Sequence, residues 1–150
     1  MDTRAQERIL IAKDALKWVK AGALIPMHNV YVGASKSILS TDFDRQLRDV
    51  VLGECKVCIK GALFLAKAVR FDHVLARELC EAGHSSDSPL NEHFDEGQLD
   101  LLERTFEGWS EWGTNEDEDI KKFAKRYPKT KDRLVAILEN IIKNQGTFKL

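Results

Sequence analysis

No run of about 18 apolar residues occurs in this chain, so no stretch of it is long and apolar enough to cross a bilayer as a helix. The opening residues MDTRAQER lack the charged-then-apolar order of a secretory leader, and a cytosolic location is the simplest expectation. Neither sign of charge is in excess, since 23 Lys and Arg face 24 Asp and Glu, mixed along the sequence. That balance lacks the basic surplus of a duplex-binding domain and argues against nucleic acid as a partner, while leaving room for a local basic patch. Cysteines number only three, an odd count that does not make a disulfide framework and points to reduced thiols. Missing too are a glycine-rich phosphate loop, a His-Glu-x-x-His helix and a Gly-x-Ser-x-Gly turn, so no familiar motif assigns a chemistry.

What is present is a folding pattern. Hydrophobic residues at 43% against charged ones at 31% exclude a disordered or membrane composition, and 150 residues suffice for one domain, 1–150, with one core. The stretch Cys55 to Val69, CKVCIKGALFLAKAV, stands at its centre. At about 100° per residue its lysines Lys56, Lys60 and Lys67 share one narrow stripe, and the rest is apolar or small. A helix of that kind must be surrounded. The reading is a buried central helix over 54–69, with the lysines as its solvent edge and Gly61, Ala62, Ala66 and Ala68 allowing neighbouring helices to come close.

The flanking chain reads as further helices. Thr3 and Gln6 have capping-box spacing, and Ala5, Ile9, Ala12, Leu16 and Val19, widened by Ile11, Ala15 and Trp18, predict a helix over about 3–21 that Gly22 closes. From Ala23 to Thr41 the helical period is lost, and Val30, Tyr31 and Val32 favour an extended segment, either an edge strand or a functional loop. Short helices follow from Thr41 to Leu52 and from about 73 to 82. The run His84 to His93 reads as a surface loop. Asp95 with Gln98 imitates a capping box ahead of Leu99, Leu102, Phe106 and Trp109. Asn115 precedes four acids, Glu116 to Asp119, while Lys121, Lys122, Lys125 and Arg126 lie toward the C-terminus of the same helix, matching the helix dipole at both ends. Pro128 ends it, and a last helix covers about 130–144.

One cluster invites a metal reading. Cys55 and Cys58 form a Cys-x-x-Cys pair, and Cys80 and His84 follow as Cys-x3-His, four ligands of the kinds structural zinc takes. A zinc-stabilised module built on Cys55, Cys58, Cys80 and His84 is therefore the first alternative. Geometry weighs against it. If 54–69 and 73–82 form an antiparallel hairpin turning near residue 71, Cys55 and Cys80 are displaced by roughly 10 Å along the axis, too far for ligands about 2.3 Å from one ion. Buried thiols filling a helical core are favoured.

Four other readings of these residues carry less. Cys55 in the first turn of a helix would gain from the dipole as a nucleophile, with His73, His84 or His93 as base, but nothing in the pattern orients the base or binds an oxyanion. A redox Cys-x-x-Cys needs a strand before the helix, and the periodicity shows none. The acids at Glu116 to Asp119 lack the glycine and alternating ligands of a calcium loop. Trp109 and Trp112 are expected to anchor a turn by burial rather than to form an exposed hot spot.

The segments Cys58-Ile-Lys-Gly-Ala-Leu-Phe, Phe94-Asp-Glu-Gly-Gln-Leu-Asp-Leu-Leu-Glu and Ile141-Ile-Lys-Asn-Gln-Gly-Thr-Phe together resemble small uncharacterised helical proteins of bacteria and their phages, which carry a similar Cys-x-x-Gly-Ala-Leu helix. The resemblance implies no activity, because no catalytic residues come with it. It motivates one more alternative, a phage-derived inhibitor of a host enzyme. The expectation is an all-α protein, a compact bundle of about six short helices around the central one. In function the expectation is a non-enzymatic cytosolic protein that binds another macromolecule, a protein, with a homodimer as one form it can take, without cofactor or membrane.

Overall fold

Asp2 opens the first helix. Its Oδ1 accepts the Ala5 N–H at 2.7 Å, taking the capping place expected for Thr3, and α1 runs Thr3–Lys20. At the far end Gly22 takes the left-handed conformation at φ 79°, and the N–H groups of Gly22 and Ala23 return to the carbonyls of Val19 and Trp18. That pair of bonds satisfies the last-turn carbonyls and stops the helix where the sequence said it would. The structure is a computed structural model describing residues 2–28, 30–34, 55–74, 79, 88–108 and 115–150.

Past α1 the chain is extended. Strands β1 (Leu24–Pro26), β2 (Val32–Ala34) and β3 (Cys55–Val57) form one sheet in the order β1-β3-β2. The central β3 lies parallel to β1, with Leu24 opposite Cys55, and antiparallel to β2, with Val32 opposite Val57. The expected extended segment around 30–32 thus leads into β2. Pro26 sits on an edge of this sheet, where a missing N–H is tolerated, and the Met27 N–H continues the ladder to the Val57 carbonyl at 2.8 Å.

β3 corrects the central helix. Residues 55–57 are strand, and helix α2 occupies Ile59–Phe71. Cys55 and Val57 are buried with Lys56 half-buried between them, a period of two over three residues. Inside a longer apolar run so short an alternation has no visible period.

The burial expected of the centre holds, because every residue from Ile59 to Ala68 is buried. The lysine stripe is not its solvent edge. Lys60 and Lys67 are 7% and 3% exposed; their stems run through the core and their Nζ atoms reach Glu103 at 3.0 Å and Asp72 at 2.7 Å. Gly61 does permit a close approach, but to a loop rather than a helix. A Cβ there would lie 1.6 Å from the Tyr31 carbonyl oxygen.

The segment before the next helix is no plain surface loop where it is described. A 3-10 turn at Ser88–Leu90 buries Leu90, and His93 and Phe94 follow it inward. Asp95 caps α3 (Glu96–Glu107) through Oδ1 to the Gln98 N–H at 2.7 Å. The Gln98 amide does not fold back to complete a box; it pairs with both backbone groups of Phe148, at 2.8 and 3.1 Å, and clasps the C-terminal segment. Helices α4 (Asn115–Arg126) and α5 (Thr130–Lys143) complete the described chain. α1 packs against α5 and α2, and α3 links α2 to α4 and α5. The main core joins Ile11, Ala15 and Trp18 with Leu63, Leu65, Leu99, Leu102, Phe106, Leu138 and Ile141. The helical class stands, while the purely α fold does not, since the sheet anchors the start of α2. Five α-helices are described; the helices expected over 41–52 and, apart from Leu79, over 75–82 lie outside the described residues, as do Trp109 and Trp112.

Candidate functional site

The candidate residues meet where β3 hands over to α2. Cys58 is the N-cap of α2, with extended backbone, and its Sγ accepts the Gly61 N–H at 3.5 Å. Its own N–H donates to the Tyr31 carbonyl at 3.3 Å. A sulfur is a poor capping acceptor, which is why no start signal was visible in the sequence. A helix N-terminus ordinarily lowers a thiol pKa. Here burial wins and pushes the Cys58 thiol up to about 11, against the downward pull of the Gly61 and Lys60 N–H groups and the Lys60 charge. Glu107 adds to the rise. The group is a protonated thiol at neutral pH.

Cys55 has a different fate. It is fully buried and disulfide-bonded, whereas Cys58 is free, so the two members of the Cys-x-x-Cys pair are not bonded to each other. The expectation of three reduced thiols is corrected at Cys55. The strand that a redox reading required is present after all, as β3, but Cys58 is not disulfide-bonded. Of the four candidate zinc ligands, Cys80 and His84 lie outside the described residues. Cys55 in its disulfide has no thiolate to offer, and Cys58 holds a proton and caps a helix. No group of three metal-binding side chains occurs among the described residues.

Around this junction lies a belt of polar groups. Lys60, ion-paired to Glu103, also stands over the Tyr31 ring at 5.7 Å. His28 meets the Phe106 ring edge-on at 5.0 Å and buries its Nε2 without a hydrogen-bond partner among the described residues. Arg133 of α5 is the anchor that the sequence did not reveal. At 6% exposure it donates to the carbonyls of Phe106 at 2.9 Å, Tyr127 at 2.9 Å and Ala124 at 3.2 Å. One guanidinium therefore satisfies the C-terminal ends of both α3 and α4, where the helix dipoles favour a cation. Burial lowers its pKa and Glu107 opposes that, and a guanidinium remains charged in either case.

A second polar cluster pins the start of α1. His93, with 2% of its side chain exposed, has Nε2 2.7 Å from Glu7 Oε2 and 3.2 Å from an Arg4 nitrogen, and it stacks on Phe71 at 5.3 Å. Its Nε2 N–H donates to Glu7 Oε2, which leaves Nδ1 as a buried acceptor without a partner among the described residues. Burial lowers the His93 pKa, against the contrary pull of Glu7; Arg4 and Lys67 lower it further. Arg8 ties the same corner together, donating to the His93 carbonyl at 3.1 Å and the Gly146 carbonyl at 2.8 Å. Of the histidines considered as bases, His93 is thus engaged with Glu7, and His73 is exposed just past α2 at φ 54°.

A third feature lies on the outside. Lys121, Lys122, Lys125, Arg126, Lys129 and Lys131 are all exposed along the second half of α4, the turn after it and the start of α5. A depression of about 200 Å³ opens among them, lined by Asp119, Lys122, Phe123, Arg126 and Leu150. Comparison of the chain with protein-family models, with curated proteins and with solved structures finds no match.

Proposed function

We propose that this protein acts without catalysis, by binding another macromolecule. The observation that carries the reading is the state of Cys58: the one free thiol placed at a helix start among the described residues is 6% exposed and raised to about 11. A nucleophile needs the thiolate and access to it, and both are withheld. Beside it Lys60 is ion-paired to Glu103 and Arg133 is bonded to the ends of two helices, which supports a role in holding the fold. Six exposed basic side chains gather along α4, the turn after it and the start of α5. No described helix is long and apolar enough to cross a membrane. A disulfide at Cys55 fits an oxidising compartment better than the cytosol. The test is a pull-down with the purified chain as bait, with the mass of the intact complex measured, beside a broad hydrolase screen. A defined complex and no turnover are expected. Turnover that disappears in Cys58→Ala would overturn the reading.

A further inference from the structure

The charges of this chain are balanced overall, but its C-terminal part carries a local basic excess. Residues 119–150 hold nine Lys or Arg against three Asp or Glu, while the whole chain carries −1, so the remainder is net acidic. Six of the nine fall within Lys121 to Lys131 and are exposed. Among the described residues only Lys121 of these six is ion-paired, to Glu118 at 3.6 Å. The patch is held rigidly. Arg133 ties the end of α4 to α5 through the carbonyls of Ala124 and Tyr127, and Pro128 stiffens the turn between them.

Within this basic surround sits an apolar floor. Half-buried Phe123 and Leu150, one of the two exposed large hydrophobics among the described residues at 44%, line the depression together with Lys122, Arg126 and one acid, Asp119, which the two cations outnumber. At about 200 Å³ it falls below the roughly 300 Å³ at which pockets for free small molecules begin. It has room for one large apolar side chain delivered by a polymer. We infer that the face formed by α4, the turn after it and Leu150 is a docking surface for an acidic segment of a partner protein, which inserts one apolar side chain between Lys122 and Arg126. This rests on the binding function proposed above and names the partner's chemistry.

A single-stranded nucleic acid would match the charge but not the aromatic groups. Stacked bases need a free ring face. The Phe123 ring is engaged by Tyr127 at 5.0 Å and by Phe148 at 6.0 Å, and Arg126 stands over Tyr127 at 5.4 Å. Leu150, the exposed apolar group of the depression, has no π face to offer.

The test uses the full chain and four probes: a labelled 12-residue peptide of Asp and Glu with a central Leu-Phe, the same peptide with Ser in place of Leu-Phe, a labelled 20-mer of thymidylate, and the unlabelled protein itself in sedimentation. The Leu-Phe peptide is expected to bind at least tenfold more tightly than the Ser peptide, since it buries an apolar side chain that the Ser peptide lacks. Binding should weaken with added salt. Lys122→Glu with Arg126→Glu should cost at least tenfold, and Leu150→Ser should erase the difference between the two peptides; all three residues are exposed, so circular dichroism and melting should be unchanged. Equal binding of both peptides, tighter binding of the thymidylate 20-mer, self-association abolished by the Glu variants, or no peptide binding would each overturn the proposal. Should the Glu double variant still form the complex seen with the wild-type bait, the surface is wrong and the binding function stands; turnover alone tells against the function.

Discussion

Gly61→Ala separates helix propensity from packing, because the two predict opposite signs. Gly61 lies inside α2, and in an isolated helix interior alanine is better than glycine by about 1 kcal/mol. Here the added Cβ would stand 1.6 Å from the Tyr31 carbonyl oxygen, 2.7 Å from the carbon of that carbonyl and 3.1 Å from a Val32 methyl. To restore even 3.0 Å the carbonyl has to retreat by 1.4 Å. The Cys58 N–H that donates to the same oxygen is then left buried without an acceptor, at a cost of about 1–3 kcal/mol. Forcing an extra carbon into a packed site costs about 1–3 kcal/mol more. Set against the propensity gain, the net loss is about 3 kcal/mol, or roughly 6–12 °C in Tm for a domain of this size. Urea titration followed at 222 nm gives the difference directly. Gly97→Ala is the internal control, since its Cβ meets only Asp95 Oδ1 at 3.4 Å; it should be neutral or stabilising by up to about 1 kcal/mol. A Gly61→Ala protein as stable as the wild type would refute the placement of α2 against the segment entering β2.

Arg133→Met keeps much of the side-chain volume but strips three carbonyls of their donor, and a loss of about 3–5 kcal/mol is expected from urea unfolding. Arg133→Lys keeps the charge and loses the fork, so its loss should be intermediate. Because burial lowers the His93 pKa in the folded chain, the unfolded chain binds more protons below the ordinary value of about 6.5. Stability should then be constant above that pH and fall as the pH drops toward the depressed folded value. Urea unfolding between pH 5 and 8 would show this, with His93→Gln flattening the slope; a slope of the opposite sign would contradict the buried, neutral imidazole. Iodoacetamide should leave Cys58 unmodified in the native protein at pH 7.5 and alkylate it in urea without reductant, while Cys55 should need reductant as well. Peptide mass mapping reads both, and labelling of Cys55 in urea alone would refute its disulfide.

The parts of the fold that were legible in the sequence are those whose cause is local. Asp95 caps α3 because its own carboxylate reaches an N–H three residues on, and Gly22 closes α1 because it alone can take a positive φ there. The parts that were not legible depend on partners far along the chain. β3 is three residues long and exists through its ladders to β1 and β2; its own residues continue an apolar run. Arg133 sits among helix-forming neighbours, and nothing near it announces that it reaches carbonyls at 106, 124 and 127.

The two central lysines show how far such a limit can be pushed back. On a helix with no polar face, a lysine has no solvent edge to occupy, so the apolar run that made α2 look buried already implied that its lysines were buried with it. A buried ammonium requires a carboxylate, and a flexible four-carbon stem can reach one at the rim of the core. Glu103 for Lys60, with Asp72 and Glu92 for Lys67, meet that requirement, all three being acids still partly open to water. Removing the acid while keeping the lysine should then be worse than removing both. Glu103→Gln alone should destabilise more than Lys60→Met with Glu103→Gln, as measured by urea unfolding of the set. The opposite order would mean that the pairing with Glu103 contributes little to holding Lys60.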